Sequence, residues 1–163
     1  MSSKIDHGAA EAARHGLVRS PEWPRVERAH LLRQPRCVCC GPGMNLHAAL
    51  QVHHIFPFHC CILLGRPDLE LDDRNLITLC ESESSRPGEN HHLLVGHLDS
   101  FQSANLAALA DATTTFHALL AKQIRVSVGW LAEVAKRMKP FEQLSVEDRQ
   151  ALRQLMTERL PRK

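Results

Sequence analysis

Hydrophobic and polar positions change period several times along the chain, and each change marks an element. Residues 1–18 show no sustained period and read as a frayed tail. From Ser20 a helix is expected, because Ser-Pro-Glu offers a capping hydroxyl, a proline at the first helical position and a carboxylate in the first turn. Trp23, Val26, Ala29 and His30 repeat at helical spacing, and Pro35 ends the run. The string Arg36-Cys-Val-Cys-Cys-Gly-Pro-Gly-Met then reads as a tight knuckle. Leu50, Val52 and Ile55 fit a short strand, residues 57–74 a loop rich in turn signals, and Leu76-Ile-Thr-Leu a second strand. The polar stretch 81–90 predicts a surface excursion, with a helix starting near Asn90. Farther on, the Ala- and Leu-rich segment Ser103 to Val128 keeps helical spacing, a further helix is expected over Trp130 to Lys139, and Ser145-Val-Glu-Asp predicts a capped last helix through Leu160.

Composition adds two facts that periodicity cannot supply. With 44% hydrophobic and 23% charged residues in 163, the chain has the makeup of a globular protein of about one domain. It lacks the roughly 20 consecutive apolar residues of a membrane span and has no apolar core of a secretion signal near its start, so a cytoplasmic protein is expected. Aromatic residues make up only 4% and tyrosine is absent, whereas there are 11 His and 6 Cys, which points to metal as a brace for a small core. Cys37, Cys39 and Cys40 form one group, Cys60 and Cys61 another, and Cys80 stands alone; seven of the 11 histidines lie between His47 and His97. That clustering suits metal better than disulfides.

Charge is segregated. Residues 1–52 carry 7 Lys and Arg against 4 Asp and Glu, residues 53–111 carry 3 against 9, and residues 112–163 carry 10 against 5. An acidic, His-rich centre between basic flanks is the distribution a metal-dependent phosphodiesterase would use, although solvated helical faces produce such patterns too.

Three signals follow in order: Cys37-x-x-Cys40, then Val52-His53-His54-Ile55-x-Pro57, then Asn75-Leu-Ile-Thr-Leu-Cys80, closed by His91-His92. As an ordered set over roughly residues 20–105, they resemble the HNH endonuclease family. The resemblance implies an α+β fold: a small ββα-metal core with a zinc knuckle over 20–105, a flexible tail over 1–19 before it and a helical extension over 106–163 after it. Neighbours on a strand point to opposite faces, so His53 and His54 cannot share a role. The family's order makes His53 a ligand of the catalytic ion and His54 the general base. Asn75 is then the middle letter, holding the His54 ring or fixing the intervening loop.

In zinc-braced relatives the third letter follows a zinc-binding cysteine, and here His91 takes that cysteine's place. The resemblance thus assigns Cys37, Cys40, Cys80 and His91 to a structural Zn²⁺ and His92 to the catalytic ion, with Cys39 the competing fourth zinc ligand. His97 falls five residues after His92 where a spacing of four is usual; it is expected to be a further ligand of the catalytic ion, the alternative being a phosphate or structural contact. Imidazole ligation suits Mn²⁺, Ni²⁺, Co²⁺ or Zn²⁺ better than Mg²⁺. Cys60 and Cys61 are expected to be buried thiols and His59 a solvated loop residue, the alternative being a contact with substrate. The implied substrate is DNA, most simply duplex, with Arg25, Arg28 and Arg33 on phosphates. Two alternatives stay open: a zinc-braced module that binds nucleic acid without cutting it, and a nuclease acting on RNA.

Overall fold

The computed structural model describes residues 7–41, 49–81 and 90–163. Its centre is a two-stranded antiparallel sheet, β1 (Ala49–His54) and β2 (Leu76–Glu81), registered so that Leu50 faces Cys80 and His53 faces Ile77. The alternation of strand side chains gives the hairpin two working faces. On one, α2 (Trp23–Arg33) packs Trp23 over Val52 and Leu76. On the other, Ile77 and Leu79 meet Leu94 and Val95 of a helical segment that begins at His91. The fold is thus mixed α and β, with a small sheet and a Cys/His cluster at its end.

Several expected elements come out differently, each for a local reason. Part of the expected tail is helical: α1 (His7–Arg14) buries Ala12 completely and packs on α3 (Phe58–Leu63), an element that itself lies in the expected loop 57–74. Two 3₁₀ turns, Pro67–Glu70 and Asp73–Asn75, complete that segment. Turn signals there were real, but they end short helices instead of marking irregular chain. Ser20 accepts from the Glu22 amide at 3.2 Å as a cap would, yet the regular helix starts three residues later, at Trp23.

The expected continuous helix over 103–128 is broken into a three-residue turn (Ala108–Ala110), a π-helical stretch (Asp111–Thr115) and α4 (Ala121–Arg125). Thr113 and Thr114 bond back to the carbonyls of Leu109 and Ala110, competing with the ladder, and three consecutive β-branched threonines disfavour it further. The break lets Ala118, with φ +61°, hand its amide to the Cys39 carbonyl, so this chain wraps the cysteine knuckle. Gly41, at φ +73°, passes so close that a Cβ there would stand 3.3 Å from Ala118 Cβ.

Helix α5 (Val128–Ala135) is capped by the Ser127 hydroxyl at the Trp130 amide and ends before the expected Lys139. Helix α6 (Val146–Arg159) starts with the expected capping box, Ser145 and Asp148 each accepting the other's amide. These later helices share the core: Phe116 and Ile124 join Ile77, Leu79 and Leu94, while Phe141, Leu152 and Met156 pack on Phe56, Cys60 and Leu69. No helix among the described residues is long and apolar enough to cross a membrane. Residues 82–89, most of the expected excursion, and 42–48, part of the knuckle, lie outside the described residues.

Candidate metal centres and catalytic cleft

Cys37, Cys40, Cys80 and His91 converge from three segments into one buried cluster. Metal–sulfur and metal–nitrogen bonds of about 2.3 and 2.0 Å in a tetrahedron imply sulfur–sulfur edges of about 3.8 Å and sulfur–nitrogen edges of about 3.6 Å. The separations here are 3.7 Å between Cys40 Sγ and Cys80 Sγ, and 3.6, 3.3 and 3.3 Å from His91 Nδ1 to the sulfurs of Cys37, Cys40 and Cys80. Nε2 of His91 donates to the Leu119 carbonyl at 3.0 Å, which fixes the tautomer and turns Nδ1 toward the sulfurs. The donor set and its edges are therefore those of a closed structural zinc site.

Electrostatics agree. Hydrogen bonds from Cys40 and Cys80 hold the Cys37 thiol far below the usual range. Burial works against a charged His91, but bonds from Cys37, Cys39 and Cys40 push it up to about 12. Cys80 moves the opposite way, its bonds with Cys37 and Cys40 pushing it up, so the protein's own groups favour thiolate at Cys37 but not at Cys80, and a bound cation is what would deprotonate Cys80. Cys39 lies outside the set of four, its thiol donating to the Phe116 carbonyl at 3.5 Å and raised by burial. Cys60 and Cys61 are fully buried, as expected of apolar thiols, and burial pushes Cys60 up to about 12.

A second cluster gathers His53, His92 and His97, with one donor atom of each within 4.8 Å of the others. The spacing of five is accommodated by the backbone. In an α-helix, at about 100° per residue, His92 and His97 would diverge by about 140°. The segment His92–Gly96 is instead a π turn, and an i→i+5 pattern sets residues five apart one turn apart on a common face. Gly96 is obligatory there, since a Cβ would stand 2.9 Å from the His53 ring.

Two of the three rings are oriented from behind. His92 Nδ1 donates to Glu81 at 2.9 Å and His97 Nδ1 to the Ser103 carbonyl at 2.8 Å, so Nε2 of each is the atom that could ligate a metal ion. His53 Nε2 is buried with no hydrogen-bond partner. Burial, then the charges of His97 and His92, hold His53 well below the usual histidine range, so its ring is neutral and could ligate a metal ion. An orphaned buried nitrogen beside two oriented imidazoles fits a divalent ion. Glu81, which orients His92, is the residue of this cluster that sequence reasoning missed, being placed in the polar excursion; its register opposite Ala49, on the His53 face, is the signal that a strand two residues longer would have given.

His54 lies in the wall of the same cleft as the three histidines. Its Nε2 donates to the Glu70 carbonyl at 2.9 Å, and Trp23 covers the ring at 4.6 Å. Asn75 does not touch the ring. Its amide clasps Phe56, accepting from the amide at 2.8 Å and donating to the carbonyl at 3.0 Å, and also donates to Leu69 O. Fully buried, Asn75 ties Phe56 to the loop that carries Glu70, so its bonds are those of the second expected role, fixing the loop. His59, expected in solvent, is buried in α3 against His15 and Phe141. Arg25, Arg28 and Arg33 are on α2, but Arg25 is bonded to Glu22 and Arg33 to Asp73; Arg28 is exposed with no partner among the described residues.

No family model, curated protein or solved structure matches the chain.

Proposed function

We propose that the protein is a metal-dependent endonuclease of the HNH type, hydrolysing DNA phosphodiester bonds in the cytoplasm, with β1, β2 and the His91–His97 segment as its ββα-metal core. The observation that carries this reading is the pairing, in one cleft, of the His53, His92 and His97 cluster with a differently held histidine, His54. A neutral imidazole that donates from Nε2 keeps its lone pair on Nδ1, and near neutral pH that atom accepts a proton from water. His54 is thus the general base, and the Glu70 carbonyl holds it in the working tautomer. Trp23 and Phe58 flank the ring and limit its rotation.

His53, His92 and His97 would hold the divalent ion, which when bound stabilises charge developing on the phosphate. Three imidazoles favour Mn²⁺, Co²⁺, Ni²⁺ or Zn²⁺ over Mg²⁺. Glu81 and the Ser103 carbonyl keep two of those rings aimed. The Cys37, Cys40, Cys80 and His91 cluster would carry zinc with no position left for chemistry, bracing the end of the hairpin.

The test is cleavage of plasmid DNA and of RNA across a panel of divalent ions, with His54→Ala beside the wild type. Loss of the base is expected to lower the rate about 10²- to 10⁴-fold, with zinc content unchanged. An undiminished rate would remove His54 from its role. Binding without cutting under every ion would favour the zinc-braced module, and cutting of RNA alone would redirect the substrate.

A further inference from the structure

A third group of donors lies outside both clusters. Glu11 of α1 and His15 just beyond that helix meet His59 of α3, with one donor atom of each within 4.8 Å of the others. The His15 and His59 rings stack with centroids 5.2 Å apart and planes 6° from parallel, and the edge of Phe141 closes over both. Two further donors adjoin them. Glu142 Oε1 stands 3.3 Å from His15 Nε2, and Cys60 Sγ 3.3 Å from His59 Nε2.

The group is poorly satisfied as it stands. His15 Nε2 is buried and has no hydrogen-bond partner, since Glu142 approaches it without hydrogen-bonding geometry. A buried polar atom without a partner costs about 1–3 kcal/mol, so such atoms call for an explanation. Burial, then the neighbouring His15, lowers His59 to about 4, which leaves its ring neutral and its lone pair available at neutral pH. Two stacked imidazoles beside two carboxylates and a thiol have ligand chemistry and little else in common.

We propose that Glu11, His15 and His59 bind a third metal ion, of the zinc, cobalt or nickel class, with Glu142 or Cys60 completing the shell. Two nitrogens with a carboxylate, and sulfur within reach, select borderline ions over Mg²⁺ or Ca²⁺. The orphaned His15 nitrogen gains a partner, and the carboxylates offset the ion's charge. The ion ties α1 and the Phe141–Gln143 turn to α3, and because Glu11, His59 and Phe141 line the same cleft as His53 and His54, it also stiffens one wall of that cleft.

Metal counting tests this without any cleavage assay, so its outcome is independent of the nuclease reading. The full chain is loaded with Zn²⁺, dialysed and assayed for bound metal by mass spectrometry, alongside His15→Ala, His53→Ala and the double variant. His15→Ala is expected to lose one equivalent relative to wild type, and to lose it equally in the His53→Ala background. Glu11→Gln, which keeps the packing of α1, is expected to weaken one Co²⁺ equivalent at least tenfold by calorimetric titration while circular dichroism stays native. It serves as the readout if His15→Ala fails to fold. Unchanged metal content in His15→Ala, or unchanged Co²⁺ affinity in Glu11→Gln, would overturn the proposal.

Discussion

His91 and His92 are adjacent in sequence, yet they serve two clusters with opposite properties. A helical step of about 100° sends consecutive side chains to different sides of the segment. His91 enters a set of four donors buried on every side, whereas His92 enters a set of three that lines a cleft. Both rings are held from behind, one by the Leu119 carbonyl and the other by the Glu81 carboxylate. Donor type, the number of protein donors and access from the cleft therefore separate the closed Cys3His cluster from the open three-histidine one.

The largest expected effect strikes the closed cluster. Cys80→Ser, or Cys37→Ser, removes one of four ligands from the site that joins the knuckle, β2 and the segment after Asn90. Structural zinc contributes on the order of 10 kcal/mol of apparent binding energy, as much as the entire stability of a small domain. Either variant is expected to lose zinc and cooperative thermal unfolding together. A variant that lost zinc but kept its melting temperature would show that the closed cluster braces nothing.

Acid should act through the other centres. His59 titrates near 4 in the folded chain against 6.5 when unfolded, mainly through burial, and it faces His15, Glu11, Glu142 and Cys60. His53 is lowered in the same direction. Above about pH 6.5 both states hold these rings neutral and nothing is lost. As pH falls from 6.5 toward 4, the unfolded chain takes up protons that the folded one refuses, so stability declines, and the His59 share of that decline levels off below 4. Denaturant melts across this range check the sign. His59→Gln is expected to flatten part of the slope, and an identical slope would place the titration elsewhere.

Gly96→Ala sharpens the comparison further, because it strikes the open cluster and spares the closed one. Its Cβ would press on the His53 ring at 2.9 Å, and such overpacking typically costs about 1–3 kcal/mol. The expected result is weaker binding of the catalytic-class ion with zinc retained in the Cys37 cluster. Equal loss from both sites would mean that the two clusters fold as one unit.

Legibility in the sequence divided along similar lines. The hairpin and the grouping of Cys37, Cys40, Cys80 and His91 were readable because Cys-x-x-Cys, His-His and Asn-Leu-Ile-Thr-Leu-Cys lie on short elements whose geometry is local. The capping box at Ser145 was readable for the same reason. What escaped depends on contacts between distant segments. Helix α1 is stabilised by packing on α3, and the break at Thr113–Phe116 serves to bring Leu119 to His91, 28 positions away. The π turn was invisible because nothing in Leu-Leu-Val-Gly announces an extra residue per turn, although the spacing of His92 and His97 is itself its trace.

The smallest expected effect separates attraction of the substrate from both clusters. Residues 53–111, which hold the cleft histidines, carry 9 acidic against 3 basic residues, so attraction of a polyanion must come from the flanks. On α2, Arg25 and Arg33 already face carboxylates, at 2.8 Å to Glu22 and 2.5 Å to Asp73, whereas exposed Arg28 has no such partner among the described residues. A phosphate must displace Glu22 or Asp73 to reach the first two but gains Arg28 outright. Each phosphate neutralised contributes about −0.9 to the slope of log affinity against log salt on duplex DNA. Arg28→Ala is therefore expected to make that slope shallower by about one, with Arg25→Ala and Arg33→Ala each changing it less, all without altering metal content. Equal slopes for the three variants would mean that the intramolecular pairs open freely on binding, and no change in any would move the phosphate track from α2 to the basic segment 112–163.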